Sequence, residues 1–144
     1  MKAMKYLFIL LAAGILMTGC IQDTYVQGTE MYMIDYDVRS NQWQPYGDCY
    51  RATLDVREIT RDIVRDGNVQ VSRCYPGDYN GMDVWTPLPA MRVESTVVDG
   101  ADYYYTTYID YEWTFETVNI FVTASDLYMD DVPEDMSFRV IITR

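Results

Sequence analysis

Carboxylates are the only catalytic side chains that this sequence offers in number. The 144 residues include 22 Asp and Glu, 11 Lys and Arg, and no histidine. Without histidine, Ser-His-Asp and Cys-His sites are excluded, and the commonest zinc ligand is missing. A pair of carboxyl groups could still serve as the acid and base of a glycosidase.

Two pairs of carboxylates have a spacing that such a site could use. Asp35 and Asp37 are two residues apart on a predicted strand, as are Asp110 and Glu112, so each pair shares one strand face. A solvated strand face has the same pattern, and nothing in the sequence indicates a cleft. We therefore predict a protein that is not an enzyme and has no cofactor.

Two acidic segments contain oxygen ligands of the type that calcium prefers. The first contains Asp78, Asn80 and Asp83, and the second spans residues 126–135. Neither fits the twelve-residue EF-hand loop. The favoured interpretation is a pair of solvated loops and no metal site, although the pattern leaves calcium binding open.

Tyrosine and tryptophan side chains predict a possible binding surface. Tyr104 and Tyr108 fall on the polar face of a predicted strand, and Trp85 lies near a loop. Flat rings beside hydroxyl groups can stack on sugars or anchor a protein partner. Tyrosine also favours strands for its own sake, so simple surface coverage is the alternative. The candidate ligand-binding residues are Tyr104, Tyr108 and Trp85.

The N-terminus has the three parts of a secretory signal peptide. The basic segment Met1–Lys5 precedes the apolar run Tyr6–Met17, which is too short to span a bilayer. Cys20 follows Thr18-Gly19 and resembles the cysteine of a bacterial lipobox. We predict that residues 1–19 are a lipoprotein signal peptide, that Cys20 carries acyl chains such as palmitate, and that residues 20–28 form a tether.

The charge balance argues against nucleic acid as a partner. Removal of residues 1–19 would take away both lysines and leave nine arginines against 22 acidic residues, a net charge of −13. Such a surface repels phosphate backbones, so nucleic acid is not an expected partner.

We expect a protein of the cell envelope, attached to the outer membrane by the lipid on Cys20. Whether it faces the periplasm or the cell surface is left open.

The remainder of the chain alternates apolar and polar residues with a period of two, which predicts strands with one buried face. Turn signals every eight to twelve residues favour an all-β antiparallel β-sandwich of about seven or eight short strands, in a single domain of residues 29–144. The predicted strands are Met31–Val38, a short segment from Trp43, Asp48–Val56, Val69–Tyr75, Val84–Val93, Tyr103–Tyr111, Val118–Ala124 and Met136–Thr143.

Two details of this prediction concern particular side chains. Pro87 and Pro89 confine Val84–Val93 to a sheet edge or a bulge. On the predicted strand Tyr103–Tyr111 and the residues just after it, one face is expected to lie in the core. Its residues are Tyr103, Tyr105, Tyr111 and Trp113.

Cys49 and Cys74 are the cysteines that remain beside Cys20. Between their strands lies a short helical connection, Glu58–Asp66, with Thr60 as a cap and Gly67 at its end. If the two strands pair about that connection, the two cysteines lie opposite each other. In an exported protein this favours a structural disulfide, and two free thiols are the alternative.

The succession of these segments resembles a family of small, tyrosine-rich, uncharacterised lipoproteins of Bacteroides-type bacteria. The residues that carry the resemblance are Trp43, Glu58-Ile59-Thr60 with Asp62 and Gly67, Trp85-Thr86-Pro87-Leu88-Pro89, Tyr103-Tyr104-Tyr105 and Phe138-Arg139-Val140-Ile141-Ile142. The cysteine pair and a longer turn at Glu112–Glu116 depart from the family pattern. The resemblance implies an all-β lipoprotein and implies no activity.

These observations lead to two hypotheses about function. The first is a non-enzymatic accessory or structural interaction module that docks onto an outer-membrane protein partner. The alternative is a carbohydrate-binding module of the cell envelope, in which Tyr104 and Tyr108 contact the glycan.

Overall fold

The structure is a computed structural model that describes residues 30–126 and 131–144. The predicted signal peptide, Cys20 and the tether lie outside these residues. In the described part, nine strands form two antiparallel sheets, which confirms the all-β sandwich with a somewhat larger number of strands. The strands are β1 (Met31–Val38), β2 (Gln44–Tyr46), β3 (Cys49–Asp55), β4 (Asn68–Tyr79), β5 (Met82–Pro87), β6 (Ala90–Val98), β7 (Ala101–Thr114), β8 (Thr117–Ala124) and β9 (Met136–Thr143).

Two helical segments join the first strands. A single 3-10 turn, Ser40–Gln42, precedes β2, and helix α1, Arg61–Asp66, connects β3 to β4. None of the helices described here has the length and apolar character needed to cross a membrane.

The two sheets divide the chain unevenly. The four-stranded sheet has the order β1-β9-β4-β5, and the five-stranded sheet has the order β2-β3-β8-β7-β6. In the first, β1 pairs with β9 from Met31 opposite Thr143 to Val38 opposite Met136. The boundaries predicted for these two strands are confirmed.

The core lies between the inner faces of the sheets and follows the alternation of the strands. In β9, every second residue is buried while the residues between them are half-buried. Phe138 is fully buried and meets Trp43 edge-on, with ring centres 6.4 Å apart. The other fully buried large side chains are Val38, Val56, Ile59, Val69, Val71, Ile109, Val118, Ile120, Val140 and Ile142.

Helix α1 is short, and its two ends have the predicted residues. The backbone N–H of Ile63 donates to Thr60 Oγ1 over 3.4 Å, and the N–H of Gly67 donates to the Ile63 carbonyl over 2.8 Å. The side chain of Ile63 is buried against the core, which anchors α1 to the sandwich.

The prediction of one strand over Val84–Val93 is wrong. The chain leaves the four-stranded sheet at the end of β5 and enters the five-stranded sheet at β6, crossing at Leu88-Pro89, where the peptide bond is cis. Leu88 is buried at the crossing. Because proline has no N–H to donate, Pro87 and Pro89 mark the ends of two strands instead of irregularities within one.

The predicted disulfide is also corrected by the structure. Cys49 lies on β3 of the five-stranded sheet and Cys74 on β4 of the four-stranded sheet, and both are free, buried thiols. Strand β3 pairs with β2 and β8, while β4 pairs with β5 and β9. Helix α1 therefore carries the chain from one sheet to the other and does not close a hairpin, so the assumed pairing is absent.

Candidate functional site

The most distinctive surface feature of the described residues is the hairpin formed by β6 and β7. The strands pair over nine residues, from Ala90 opposite Ile109 to Val98 opposite Ala101. Asp99 and Gly100 form the turn, and both have positive φ angles (52° and 81°), as a tight two-residue hairpin turn requires. Alternate residues of β6 and β7 therefore face opposite sides of the sheet.

The outer side of this hairpin presents exposed apolar side chains, beside the polar residues Ser95, Asp102 and Thr106. Five of its side chains, between 46% and 69% exposed, form what we name the hairpin face: Met91, Val93, Val97, Tyr104 and Tyr108. Met91 lies directly opposite Tyr108 in the strand register. Clusters of exposed apolar side chains on soluble domains mark interaction surfaces more often than scattered single residues do.

The backbone next to the hairpin face is also open. Strand β6 is at the edge of the five-stranded sheet within the described part of the chain. Its outer residues from Met91 to Val97 include no charge, and no lysine or proline interrupts the strand, whose charged residues Arg92 and Glu94 lie on the inner side. Proteins commonly protect long edge strands with such residues, because unpaired backbone groups accept another strand.

The inner side of the hairpin lines a cavity of about 610 Å³, which we name the hairpin cavity. In β7, full burial begins only at Thr107, so the inner face of the preceding residues borders this space and not the core. Tyr103 is 44% exposed there, and its predicted place in the core is wrong, while Tyr105 is half-buried. Tyr111 and Trp113, further along the strand, pack against the core as predicted.

Hydrogen bonds between tyrosines and carboxylates organise the hairpin cavity. The hydroxyl of Tyr105 donates to Glu94 Oε2 over 3.1 Å, and that of Tyr103 donates to Asp126 Oδ2 over 3.3 Å. Burial, followed by the hydrogen bond to Glu94, raises the pKa of Tyr105 above its ordinary value. The phenol is therefore neutral at physiological pH and holds its proton toward Glu94.

Glu134 lies in the wall of the hairpin cavity opposite the hairpin, and it is held there by hydrogen bonds to its backbone and to its side chain. Its backbone carbonyl accepts from Trp43 Nε1 over 3.2 Å, and its carboxylate accepts from Arg73 Nη2 over 3.4 Å. Arg73 is only 5% exposed and also donates to the hydroxyl of Tyr75 over 3.3 Å. The guanidinium carbon of Arg92 lies 4.4 Å from the centre of the same ring, so this cluster links β6 to β4 beside the cavity.

Trp85 does not join the two candidate tyrosines. It lies on β5 of the four-stranded sheet, whereas Tyr104 and Tyr108 lie on β7 of the five-stranded sheet. The guanidinium carbon of Arg139 is 3.8 Å from the centre of the Trp85 ring. A single ligand surface of all three residues is therefore not formed, and only Tyr104 and Tyr108 share a face.

The predicted carboxylate pairs each have local partners. Asp35 accepts two hydrogen bonds from Arg139 over 2.7 and 2.8 Å, and Asp37 accepts from Ser137 over 2.6 Å. Glu112 accepts from Asn119 over 3.1 Å. These contacts place the acidic groups in cross-strand networks on the sheet surfaces.

The first acidic segment is a strand hairpin and not a loop, because Asp78 lies in β4 and Asp83 in β5, and its carboxylates are paired locally. Asp78 accepts from Arg92, and Asp83 accepts from the backbone N–H of Gly77. Over residues 30–126 and 131–144, no group of three or more acidic or cysteine side chains is arranged to hold a metal ion. Residues 127–130 of the second predicted calcium loop lie outside the described part.

The hairpin cavity is the feature that the sequence reasoning missed. A single predicted strand over Val84–Val93 assigns no face to the residues after Val93. Val93 and Val97 fall on one face and Glu94 and Thr96 on the other, but Ser95 and Val98 break the alternation before the turn at Asp99, so the period-two signal is weak in this segment.

Comparison with known protein families, curated proteins and solved structures gives no match for this chain. The resemblance to Bacteroides-type lipoproteins therefore stays a prediction.

Proposed function

We propose that this chain is a lipid-anchored interaction domain of the cell envelope, and that it docks onto a protein partner through the hairpin face and the open edge of β6. The observation that carries the proposal is that one strand offers both an exposed apolar face and backbone groups that no other strand of the described residues pairs with. A partner strand added to this edge would gain main-chain hydrogen bonds and apolar contacts together.

The composition of the hairpin face favours a protein over a polar ligand. Three of its five side chains, Met91, Val93 and Val97, have no hydrogen-bonding group, and they lie on the strand that is nearest to an incoming partner. Apolar and aromatic side chains of this kind dominate the centres of protein interfaces. We therefore expect a partner with its own apolar strand or sheet edge.

The test is to crosslink native membranes and recover this protein with its neighbours. In the double variant Val93→Lys/Val97→Lys, two charges stand on the hairpin face at exposed positions, so the fold is expected to persist. Val64→Lys is the matched control, because Val64 is an exposed valine on α1, away from the hairpin.

A stoichiometric partner should be recovered with the unmodified protein and with the Val64→Lys variant, and lost with the double variant. Equal recovery in all three would contradict docking through this face. Absence of any partner above background from crosslinked membranes would contradict the interaction function itself.

Membrane attachment is proposed from the N-terminal pattern alone. The basic segment, the apolar run and the small residues before Cys20 are the features that support it. Mass spectrometry of the mature N-terminus should find acyl chains on Cys20, and Cys20→Ser should release the protein from the membrane fraction. An unmodified cysteine in membrane-bound protein would refute the anchor.

Carbohydrate binding is the second candidate, and the exposure of Tyr104 and Tyr108 on one face favours it. Four residues along a strand separate the rings by about 13 Å, a spacing that suits successive sugars of a chain. Tyr104→Ala/Tyr108→Ala should then abolish glycan retention. Tyr79→Ala, at another exposed tyrosine, should leave retention unchanged.

A further inference from the structure

We propose that the hairpin cavity is a binding site for an organic cation, such as a guanidinium or ammonium group on a short apolar chain. This site is separate from the hairpin face, because it lies on the opposite side of the same two strands. It involves no covalent step.

The charge of the cavity wall is the first argument. Four carboxylates line the described part of the cavity: Glu94, Asp126, Asp131 and Glu134. The described lining includes no arginine, although Arg73 contacts Glu134 from β4 behind the wall. The whole chain has a net charge of −11, so the surrounding field also favours a cation over an anion.

The hydrogen bonds inside the cavity are the second argument. A tyrosine hydroxyl has one proton, and Tyr103 and Tyr105 donate theirs to Asp126 and Glu94. Ionised carboxylates only accept hydrogen bonds. These four groups therefore present lone pairs to an occupant. Such a lining matches a ligand rich in N–H donors, and the hydroxyls of Thr96 and Thr107, which also border the cavity, can accept hydrogen bonds from it as well as donate them.

The aromatic and apolar parts of the lining define the remainder of the ligand. Tyr50, Tyr103 and Tyr105 border the cavity together with Val122 and Met136. A cation is attracted to the face of an aromatic ring, and more strongly where water is excluded. The methylene chain of an alkyl amine would contact the valine and methionine side chains. About 610 Å³ is a typical volume for a small-molecule site.

Agmatine is a suitable probe, because it has a guanidinium and an ammonium group on a four-carbon chain. Calorimetric titration of the folded protein at low salt compares it with the neutral 1,4-butanediol. A blocked Gly-Arg-Gly tripeptide tests whether the same cation is recognised on a peptide. We expect agmatine or the tripeptide to bind with a dissociation constant in the micromolar to millimolar range, and butanediol not to bind.

Three amide variants distinguish binding of the probe in the hairpin cavity from nonspecific attraction of a cation to an acidic protein. Glu94→Gln still accepts the Tyr105 hydrogen bond but loses the charge, and it should weaken binding about tenfold, which is about 1.4 kcal/mol. Asp126→Asn is a second variant with the same expectation at a more exposed position. Asp110→Asn removes one charge from the outer side of β7 and is the matched control, with an expected change of less than about twofold.

The relative affinities of the two probes identify the source of the cation. Tighter binding of agmatine than of the tripeptide identifies a free amine as the ligand, and the reverse identifies an arginine of a partner. No binding of either probe at about 10 mM would overturn the proposal. It would also be overturned if Glu94→Gln, Asp126→Asn and Asp110→Asn weakened binding equally, because the attraction would then come from net charge alone.

Discussion

Arg139 covers Trp85. The guanidinium carbon lies 3.8 Å from the ring centre, while the guanidinium N–H groups donate to Asp35 on the neighbouring strand β1. A tryptophan that sequence analysis offers as a ligand platform is therefore occupied by a side chain of its own sheet. The outer side of the four-stranded sheet carries a cross-strand network, whereas the hairpin face makes no hydrogen bond or ring contact of this kind within residues 30–126 and 131–144.

The pair of Asp35 and Arg139 should give the stability of the protein a pH dependence. The hydrogen bonds from Arg139 hold the pKa of Asp35 below its ordinary value of 3.8. A carboxyl group with a lowered pKa in the folded state stabilises the protein above its unfolded-state pKa, and this contribution is lost as the pH falls through the folded pKa. Asp35→Asn should therefore destabilise the protein near neutral pH, with a difference from the unmodified protein that shrinks below about pH 4.

The Asp35→Asn effect should stay below about 1 kcal/mol, because the Asp35 side chain is 55% exposed and solvent screens the pair. Urea unfolding of both proteins at several pH values measures it. Asp102→Asn is the control for the loss of one negative charge. A difference that grows on acidification would contradict the assigned pairing.

Cys49 and Cys74 should be unreactive thiols in the folded protein. Burial raises the pKa of both thiols, and the Cys49 thiol donates to the Tyr46 carbonyl over 3.0 Å. Because the thiolate is the reactive form, iodoacetamide should label neither residue in native protein and both in urea. Mass spectrometry without reductant reads the result. Labelling that requires a reductant even in urea would show that the disulfide exists after all.

Gly67→Ala should destabilise the junction between α1 and β4. A Cβ at this position would lie 2.9 Å from the Thr143 carbonyl oxygen and 3.0 Å from the Ile63 Cα, so backbone must move to accept it. We expect a loss of about 1–3 kcal/mol in urea unfolding. Val64→Ala, at an exposed position of the same helix, should change stability by less than about 0.5 kcal/mol. Equal effects of the two variants would contradict this close approach.

Phe138→Ala should be among the most damaging single substitutions. Phe138 is fully buried and contacts Trp43, and truncation of a buried phenylalanine leaves a cavity that costs about 3–5 kcal/mol. Unfolding in urea, followed by tryptophan fluorescence, measures the loss. Phe115→Ala is the matched control, since Phe115 is an exposed phenylalanine in the turn between β7 and β8. A similar small loss at both positions would mean that the core is not centred where the structure places it.

The sequence predicts strand positions well where alternation and turn residues agree. Met31–Val38 and Met136–Thr143 have the predicted boundaries, and the cap at Thr60 is where a threonine before a short apolar run indicates it. Alternation identifies the faces of a strand but not its neighbours. For that reason the sequence pattern predicts paired strands for Cys49 and Cys74, although the helix between them crosses from one sheet to the other.

The candidate site could be predicted only in part. The exposed side of Tyr104 and Tyr108 follows from the strand period and is confirmed. The hairpin cavity depends on how far β7 extends beyond the four-stranded sheet that faces it. Whether a β7 side chain is buried is decided by the cover that this sheet provides, and the local sequence does not show it. Tyr103 therefore has the pattern of a core residue and the exposure of a cavity wall.

Strand β6 contributes to two surfaces with one series of residues. Val93 and Val97 belong to the hairpin face, and Glu94 belongs to the hairpin cavity, with only the strand pleat separating them. Insertion of a single residue before Val93 would turn every following side chain of β6 to the opposite side of the sheet. Apolar groups would then enter the cavity and a carboxylate would stand on the outer face. Both surfaces therefore depend on the same length of chain between Leu88-Pro89 and the turn at Asp99-Gly100, and neither can gain or lose a residue there alone.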